Sequence, residues 1–491
     1  MNQRRTFVLG MLLAIGNLQI ALADDNWPQW RGPNANGTSN STNLPTSWSA
    51  SEGQNIVWKA ELPHWSGGTP IIWGDRIFLT SPTKPAIAQP AVGASANLPA
   101  PAQRFDAQVE GPPEQGERRG PEGRRGQGRR GGRGGRGGGG GRDPGGQGLL
   151  ILCLSRQDGS LIWQRELDSG NELKRKQNNS SPSPVTDGKH IWVATGNGVV
   201  TALTLDGQPV WTRKLQDDYG RFGLNWGFAS SPLLFDGKLI IPVLHGMTTD
   251  DPSYVVALNA ATGEPIWRVE RPTDAISESP DSYTTPVVYN AGGQVQIVVT
   301  GGDYVTGHDP ATGKEVWRSG GLNPRKARDY RIIASPVVVG DIIYAPTRKV
   351  PLLAIRGGGS GDVTDSHRVW TWTEPGAPDV PTPVSDGKYF YMVEDAGLAS
   401  CLDAKTGQRI WGPERTASGT VSSSLILADG KLYIVNETAV TTVLEAGPQF
   451  KVVATNELDG SYTLSSPVVA GNQLFIRTGT HLYCIGNKAT P

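Results

Sequence analysis

Val255-Val256-Ala257-Leu258-Asn259-Ala260-Ala261-Thr262-Gly263-Glu264-Pro265-Ile266-Trp267 is the stretch on which the fold turns. An apolar run, a Thr-Gly turn signal and a Trp four positions past the Gly read as antiparallel strands joined by a tight hairpin. Upstream, Ser231-Pro232 opens another apolar run that closes in Asp236-Gly237, and a further apolar run follows. The whole phrase is one unit of four strands, A to D in chain order. Its Trp opens strand D, where a large ring can wedge between neighbouring sheets and bury roughly 150–250 Å².

The phrase recurs from Thr285-Pro286 through Thr312-Gly313 to Trp317, and from Thr382-Pro383 through Asp386-Gly387 and Thr406-Gly407 to Trp411. Strand A lacks polar alternation in Pro336-Val337-Val338-Val339, as expected of a strand covered on both faces. Helical periodicity is absent. The strand-A openings are Thr69-Pro70, Ser183-Pro184, Ser231-Pro232, Thr285-Pro286, Ser335-Pro336, Thr382-Pro383, Ser423-Ser424 and Ser466-Pro467, which makes eight. The last copy has three strands and no Trp. Its fourth is supplied by Asn55-Ile56-Val57-Trp58-Lys59-Ala60, so an N-terminal strand closes the ring and removes an exposed edge. Blade seven is the weakest copy, with Val453 where Trp is expected. The predicted fold is an all-β, eight-bladed propeller of four-stranded antiparallel blades over residues 55–488, since such sheets bury both faces only by packing around an axis. A seven-bladed ring would require one copy to be spurious.

The other segments carry different signals. Residues 1–23 read as an export signal: Arg4 and Arg5, an apolar run from Phe7 to Leu22, and Ala21-Leu22-Ala23 as the cleavage site. Arg4-Arg5 before Thr6-Phe7-Val8 also resembles the twin-arginine signal, so both export routes stay open, with the periplasm or the extracellular space as destination. Residues 24–54 form an N-terminal extension with Trp27-Pro28-Gln29-Trp30-Arg31-Gly32-Pro33, whose indoles call for docking on the propeller. Residues 83–148 interrupt blade one between strands B and C. This Pro/Arg/Gly-rich insertion lacks the apolar residues needed to offset ordering entropy and is expected to be disordered. No stretch after residue 23 is long and apolar enough to span a membrane. Lys plus Arg and Asp plus Glu balance at 46 each, so no overall field favours nucleic acid. Cys153, Cys401 and Cys484 each occupy the place of Ala257 in their repeats and read as small buried residues, not a reactive set.

The phrase 257–267 resembles the tryptophan-docking repeat of the quinoprotein dehydrogenases, the pyrroloquinoline-quinone-like repeat that also builds the propeller of the outer-membrane-protein assembly factor. Trp27 to Pro33, with Tyr283-Thr284-Thr285-Pro286 and Gly307-His308-Asp309-Pro310, resembles exported bacterial proteins of that repeat family. The resemblance implies the fold strongly and the function weakly, because docking motifs are structural. For the dehydrogenases it implies adjacent cysteines over the quinone, a calcium ion held by acidic and amide side chains, and an aspartate base. This chain has no Cys-Cys pair and no Cys-x-x-Cys-His. Its six histidines show no metal-ligand spacing. No catalytic residue and no metal ligand is therefore assigned.

In a propeller, the loops before strand A and between strands B and C surround the funnel. They present Asn225, Trp226, His245, Tyr283, Asp303, Arg328, Arg331, Arg348, Lys349, Glu394 and Asp395 as candidate ligand-binding residues, with Asn178, Asn179, Asp281 and Tyr330 beside them. Aromatic faces, amides and paired charges suit peptides, glycans or polar small molecules. Trp226 and Tyr283 stand out because neither has a hairpin role, and Arg328, Arg331, Arg348 and Lys349 compose a candidate anion patch beside Glu394 and Asp395. The expected function is an exported, monomeric, non-catalytic binding or scaffolding propeller without a cofactor, whose partner is a protein, peptide or glycan. The alternative is a dehydrogenase of alcohols or sugars using pyrroloquinoline quinone (PQQ) with calcium.

Overall fold

The computed structural model describes residues 25–85 and 143–487. The export signal read at residues 1–23 and all but the ends of the Arg/Gly-rich insertion lie outside them. Among the described residues there are eight blades of four antiparallel strands, two of them extended by a short parallel edge strand (Thr38–Ser39 and Gly361–Asp362), and the single helix is the short Leu215–Tyr219. No described helix is long and apolar enough to cross a membrane.

Blade three shows how the residues build a sheet. Strands Leu233–Phe235 and Lys238–Val243 are joined through Asp236 and Gly237 with φ of 48° and 69°. Positive φ at both positions gives a hairpin whose twist matches its strands. Strands Tyr254–Asn259 and Pro265–Glu270 follow. Between them the Asn259 carboxamide accepts the N–H groups of Ala261 and Thr262, which folds the chain into the Thr-Gly turn. Asp309 and Asp403 do the same in blades four and six. Strands B and C are buried along nearly their whole length, and strand D faces solvent at its start.

A Trp at the start of strand D is the residue that ties most blades to the next. It lies opposite the same strand-C position in seven blades: Cys153 faces Trp163, Ala257 faces Trp267, Cys401 faces Trp411 and Cys484 faces Trp58. The cysteines are the small residues beneath an indole, and burial pushes their thiols up to about 12. In six joints the indole N–H donates to a carbonyl in the following blade's C–D turn at 2.9–3.1 Å, as with Trp267 to Pro310 and Trp58 to Arg156. The turn glycine is required there, because a Cβ at Gly263 would sit 2.7 Å from the Trp211 ring and one at Gly313 2.4 Å from Trp267. Blade four departs from the pattern. Its Trp317 lies over Gly307 and donates instead to Gln296 Oε1 of its own sheet at 2.6 Å.

Blade seven corrects the sequence reading. The register pairs Val443 with Ala454, so Ala454, not Val453, takes the Trp position, and Val453 points outward at 39% exposure. The missing ring is replaced from elsewhere in the chain. The N-terminal extension runs beside strand D of blade seven, where Ser49 bridges Glu457, Trp48 N–H donates to Asn456 Oδ1, and Asn456 Nδ2 donates to Thr46 C=O. The Trp48 side chain is buried in one cluster with Tyr433, Val443, Phe475 and Trp58.

Two devices close the ring. Strand Ile56–Glu61 completes blade eight against His481–Gly486, as the sequence predicted. Around the axis, the Ser or Thr that opens each strand A accepts the backbone N–H of its counterpart in the preceding blade. The circuit runs Thr69, Ser183, Ser231, Thr285, Ser335, Thr382, Ser424, Ser466 and back to Thr69, with all eight bonds between 2.9 and 3.2 Å. This gives the Ser/Thr-Pro signature its physical reason, and it fixes Ser424 of the Ser423-Ser424 pair as the blade-seven member. Buried Arg477 adds a tie from blade eight to the C=O groups of Gly68, Thr80 and His64, and burial lowers its guanidinium to about 9.

In blade one, Thr83 N–H donates to Gly148 C=O and Gly146 N–H to Thr83 C=O. The chain therefore leaves and re-enters the B–C hairpin at one point of the sheet.

Candidate functional site

The hydroxyl circuit surrounds a cavity of about 340 Å³ on the propeller axis. Seven of its eight Ser/Thr residues line the wall, all but Ser335. The end formed by the A–B hairpins is crossed by the N-terminal extension. Trp27 pairs with Ile72, Pro28 C=O accepts Thr186 N–H, and Arg31 donates to Leu425 and Pro383 C=O at 2.6 and 2.7 Å. The segment thus runs from blades one and two to blades six and seven, with Trp30 forming part of the cavity wall. Arg31 is fully buried without a carboxylate contact among the described residues, and desolvation lowers its guanidinium to about 9.

At the funnel end the loop before blade two forms a small hairpin, Leu173–Lys174 paired with Gln177–Asn178. Its tip reaches across the mouth. Lys176 Nζ meets Glu437 Oε1 at 2.8 Å and Ser422 Oγ at 3.2 Å in blade seven, and Tyr462 donates to Lys176 C=O. Gln177 Nε2 donates to Trp226 C=O at 2.6 Å. Arg175, at φ 62°, holds its guanidinium 4.7 Å from the centre of the Trp226 ring, a cation–π contact.

Trp226 and Tyr283 form one wall. Trp226 N–H donates to Tyr283 Oη at 3.0 Å, and its indole N–H to Glu278 Oε1 at 2.6 Å. Burial pushes the Tyr283 phenol up, so it is neutral and serves as acceptor here. Arg331 stands on the facing side, with Nη2 3.1 Å from Asp379 Oδ2 and Nε 3.8 Å from Glu278. Its Nη1 and Nε find no hydrogen-bond acceptor among the described residues. Asp395 Oδ1 accepts the N–H groups of Val380 and Asp379, and burial raises this carboxyl.

Of the residues chosen from sequence, Trp226, Tyr283, Arg331 and Asp395 line the cavity. The others serve elsewhere. Asn225 N–H donates to Asp281 Oδ2, and His245 Nδ1 accepts Gly223 N–H while burial lowers its pKa. Asp303 is buried with Ser279 and Asn323, which satisfy its oxygens. Arg348 is paired with Asp329, and Lys349 and Arg328 are exposed off the cavity wall. Glu394 caps its own turn, accepting Gly397 N–H through its backbone. The proposed anion patch does not assemble, because Asp329, Asp379 and Glu278 meet two of its four cations. Asp281 proves to be a hub: its carboxylate accepts N–H groups from Asn225, Gly246 and Met247, tying three loops together. Desolvation raises it to about 6 against those hydrogen bonds.

The sequence reading missed Trp30, Lys174, Arg175, Lys176, Gln177 and Asp379. The Lys174-Arg175-Lys176 run was a readable signal, since it lies in the same pre-strand-A loop as Asn178 and Asn179.

The residues present do not fit a calcium ion paired with a quinone. Among the described residues no three acidic, histidine or cysteine side chains converge. Asp379 is held by Arg331, Asp395 by backbone N–H groups, and the three cysteines lie under blade tryptophans, away from the cavity wall.

A family model described as outer membrane protein assembly factor BamB matches residues 147–412 and 359–479, more than half the chain. The protein belongs to this family. Among BamB relatives, the chain is 24% identical to the protein of Yersinia pestis, over 67% of this chain and 78% of that one. It is 21% identical to that of Burkholderia pseudomallei, over 66% and 76%. BamB from Moraxella catarrhalis superposes with a TM-score of 0.50 at 14% identity, covering 70% of this chain and 93% of that one. A quinohemoprotein alcohol dehydrogenase from Comamonas testosteroni gives 0.59 at 10% identity, over 95% and 82%. At such identities these structural likenesses speak for the propeller alone.

Proposed function

We propose that the protein is an exported, non-catalytic binding propeller that receives a polypeptide partner at the funnel end of its channel. Membership of a family described as an assembly factor supports a protein partner, and the signal-like residues 1–23 support export. The observation that carries the reading is the chemistry of the mouth. Trp226 offers an aromatic face, the Lys174-to-Gln177 loop and Arg331 supply donors, and Asp379 and Asp395 complete a mixed polar rim. Rigid aromatic anchors ringed by hydrogen-bonding groups are what polypeptide interfaces use for affinity.

The test is a titration of the full chain with an immobilised pool of random hexapeptides, read by surface binding and by tryptophan fluorescence. Saturable binding by the native protein, weakened about tenfold or more by Trp226→Ala, is expected. Absence of any peptide binding, together with one-to-one binding of PQQ and calcium-dependent dye-linked oxidation of alcohols or sugars, would replace this reading with the dehydrogenase.

A further inference from the structure

We infer that the channel takes the free C-terminal carboxylate of its partner, with Arg175 and Arg331 as the anion-binding pair; this rests on the polypeptide-binding reading above. Two independent features lead to it. The first is topological. The extension crosses the hairpin end of the axis through Trp27, Trp30 and Arg31 and is bonded to blades on both sides of it. A strand entering from the funnel meets that crossing and does not thread through, so a chain end enters in preference to a continuous segment.

The second feature is the balance of unused hydrogen-bonding capacity. Arg331 takes Asp379 Oδ2 and two backbone N–H groups take Asp395 Oδ1, which leaves Asp379 Oδ1 as a buried acceptor without a partner among the described residues. Unused donors are more numerous. Arg175 rests on the Trp226 face and makes no contact with a carboxylate among the described residues, while Arg331 keeps Nη1 and Nε without a hydrogen-bond acceptor. Each ring hydroxyl accepts one N–H and retains its own O–H to give. A site whose free donors outnumber its free acceptors favours an anion, and guanidinium groups bind carboxylates with matching planar geometry. Lys174, Lys176 and Arg331 are ion-paired with Glu172, Glu437 and Asp379, so Arg175 is the cation of the wall that has no carboxylate partner among the described residues. Ile333, Leu464 and Ala229 on the wall, with Trp30 and Trp226, suit an apolar terminal side chain. Capture of a terminal carboxylate by clustered donors is an established mode of peptide recognition.

The experiment compares N-acetylated hexapeptides ending in leucine, as free acids and as carboxamides, on the full chain and on Arg175→Ala. Arg175 is exposed, so its removal leaves the fold in place, and the melting temperature verifies this. The free acid is expected to bind at least about tenfold more tightly than the amide, and Arg175→Ala to bring the two within about twofold. Equal affinity of acid and amide for the native protein overturns the inference while leaving peptide binding intact. Binding of neither overturns the polypeptide reading itself. Tight saturation by acetate or benzoate with no gain from the attached peptide shows a small-carboxylate site and also overturns the inference.

Discussion

The joint between blades three and four and the joint between blades seven and eight solve one packing problem with different parts of the chain. In the first, Trp267 comes from the repeat, lies over Ala257, and donates to Pro310 of the next blade. In the second the repeat supplies only Ala454, and Trp48 arrives from outside the repeat, tied to Asn456. The comparison teaches that the interblade volume is what must be filled, and that its filler need not be local in sequence. A Trp embedded in a strand is positioned by register. One carried on an extension is positioned only if the extension is itself held down.

The largest effect should come from Trp267→Ala. It removes a buried indole and leaves the Pro310 carbonyl without its donor, and is expected to cost about 3–5 kcal/mol in denaturant unfolding. A cost below about 1 kcal/mol would break the equivalence between docking Trp and joint stability. Trp48→Ala comes next, at about 2–4 kcal/mol. Hydrogen exchange should quicken in residues 452–456 and 481–486 and spare blades three and four. Uniform acceleration would show that the extension stabilises the ring as a whole and not one joint.

The smallest expected effect concerns the funnel side of the first joint, where Asp281 ties the loops before blades three and four. Its folded pKa of about 6 lies above the 3.8 of an unperturbed aspartate. Between these values the folded chain keeps a proton that the unfolded chain has released, so this carboxyl's contribution to stability falls as pH rises from about 4 to 6 and then levels off. The change should be on the order of 1–3 kcal/mol and absent from Asp281→Asn. Melting curves of both proteins at pH 4.5 and 7 measure it. An opposite slope would mean that the three backbone N–H groups outweigh desolvation.

How far the sequence reached follows the same division. The propeller was legible because Thr-Gly and Asp-Gly turns and the Trp four residues on are local signals, set by backbone geometry at single positions. The correction from Val453 to Ala454 arose where the C–D turn, residues 446–451, lacks the Thr-Gly step of the clearest copies, so counting from the Gly no longer located the register. The site was legible only in part. Trp226, Tyr283, Arg331 and Asp395 were found because a loop beside the axis tends to face it. Arg348 and Lys349 lie in such a loop too, but Arg348 is taken up by Asp329 and neither lines the cavity. Trp30 and the Lys174-to-Lys176 hairpin come to the axis from segments outside the strand repeat, and no periodicity marks them.

The hydroxyl circuit has a consequence for charge. Its eight N–H···O bonds all run in one rotational sense, each blade giving to the next. Dipoles arranged head to tail in a circle cancel as vectors, unlike those of a helix, which add along its axis. The tangential components of the eight bonds therefore sum to zero, and the circuit favours no side of the channel over another. Preference for one sign of charge, and for one end of a chain over the other, is left to the side chains above the circuit.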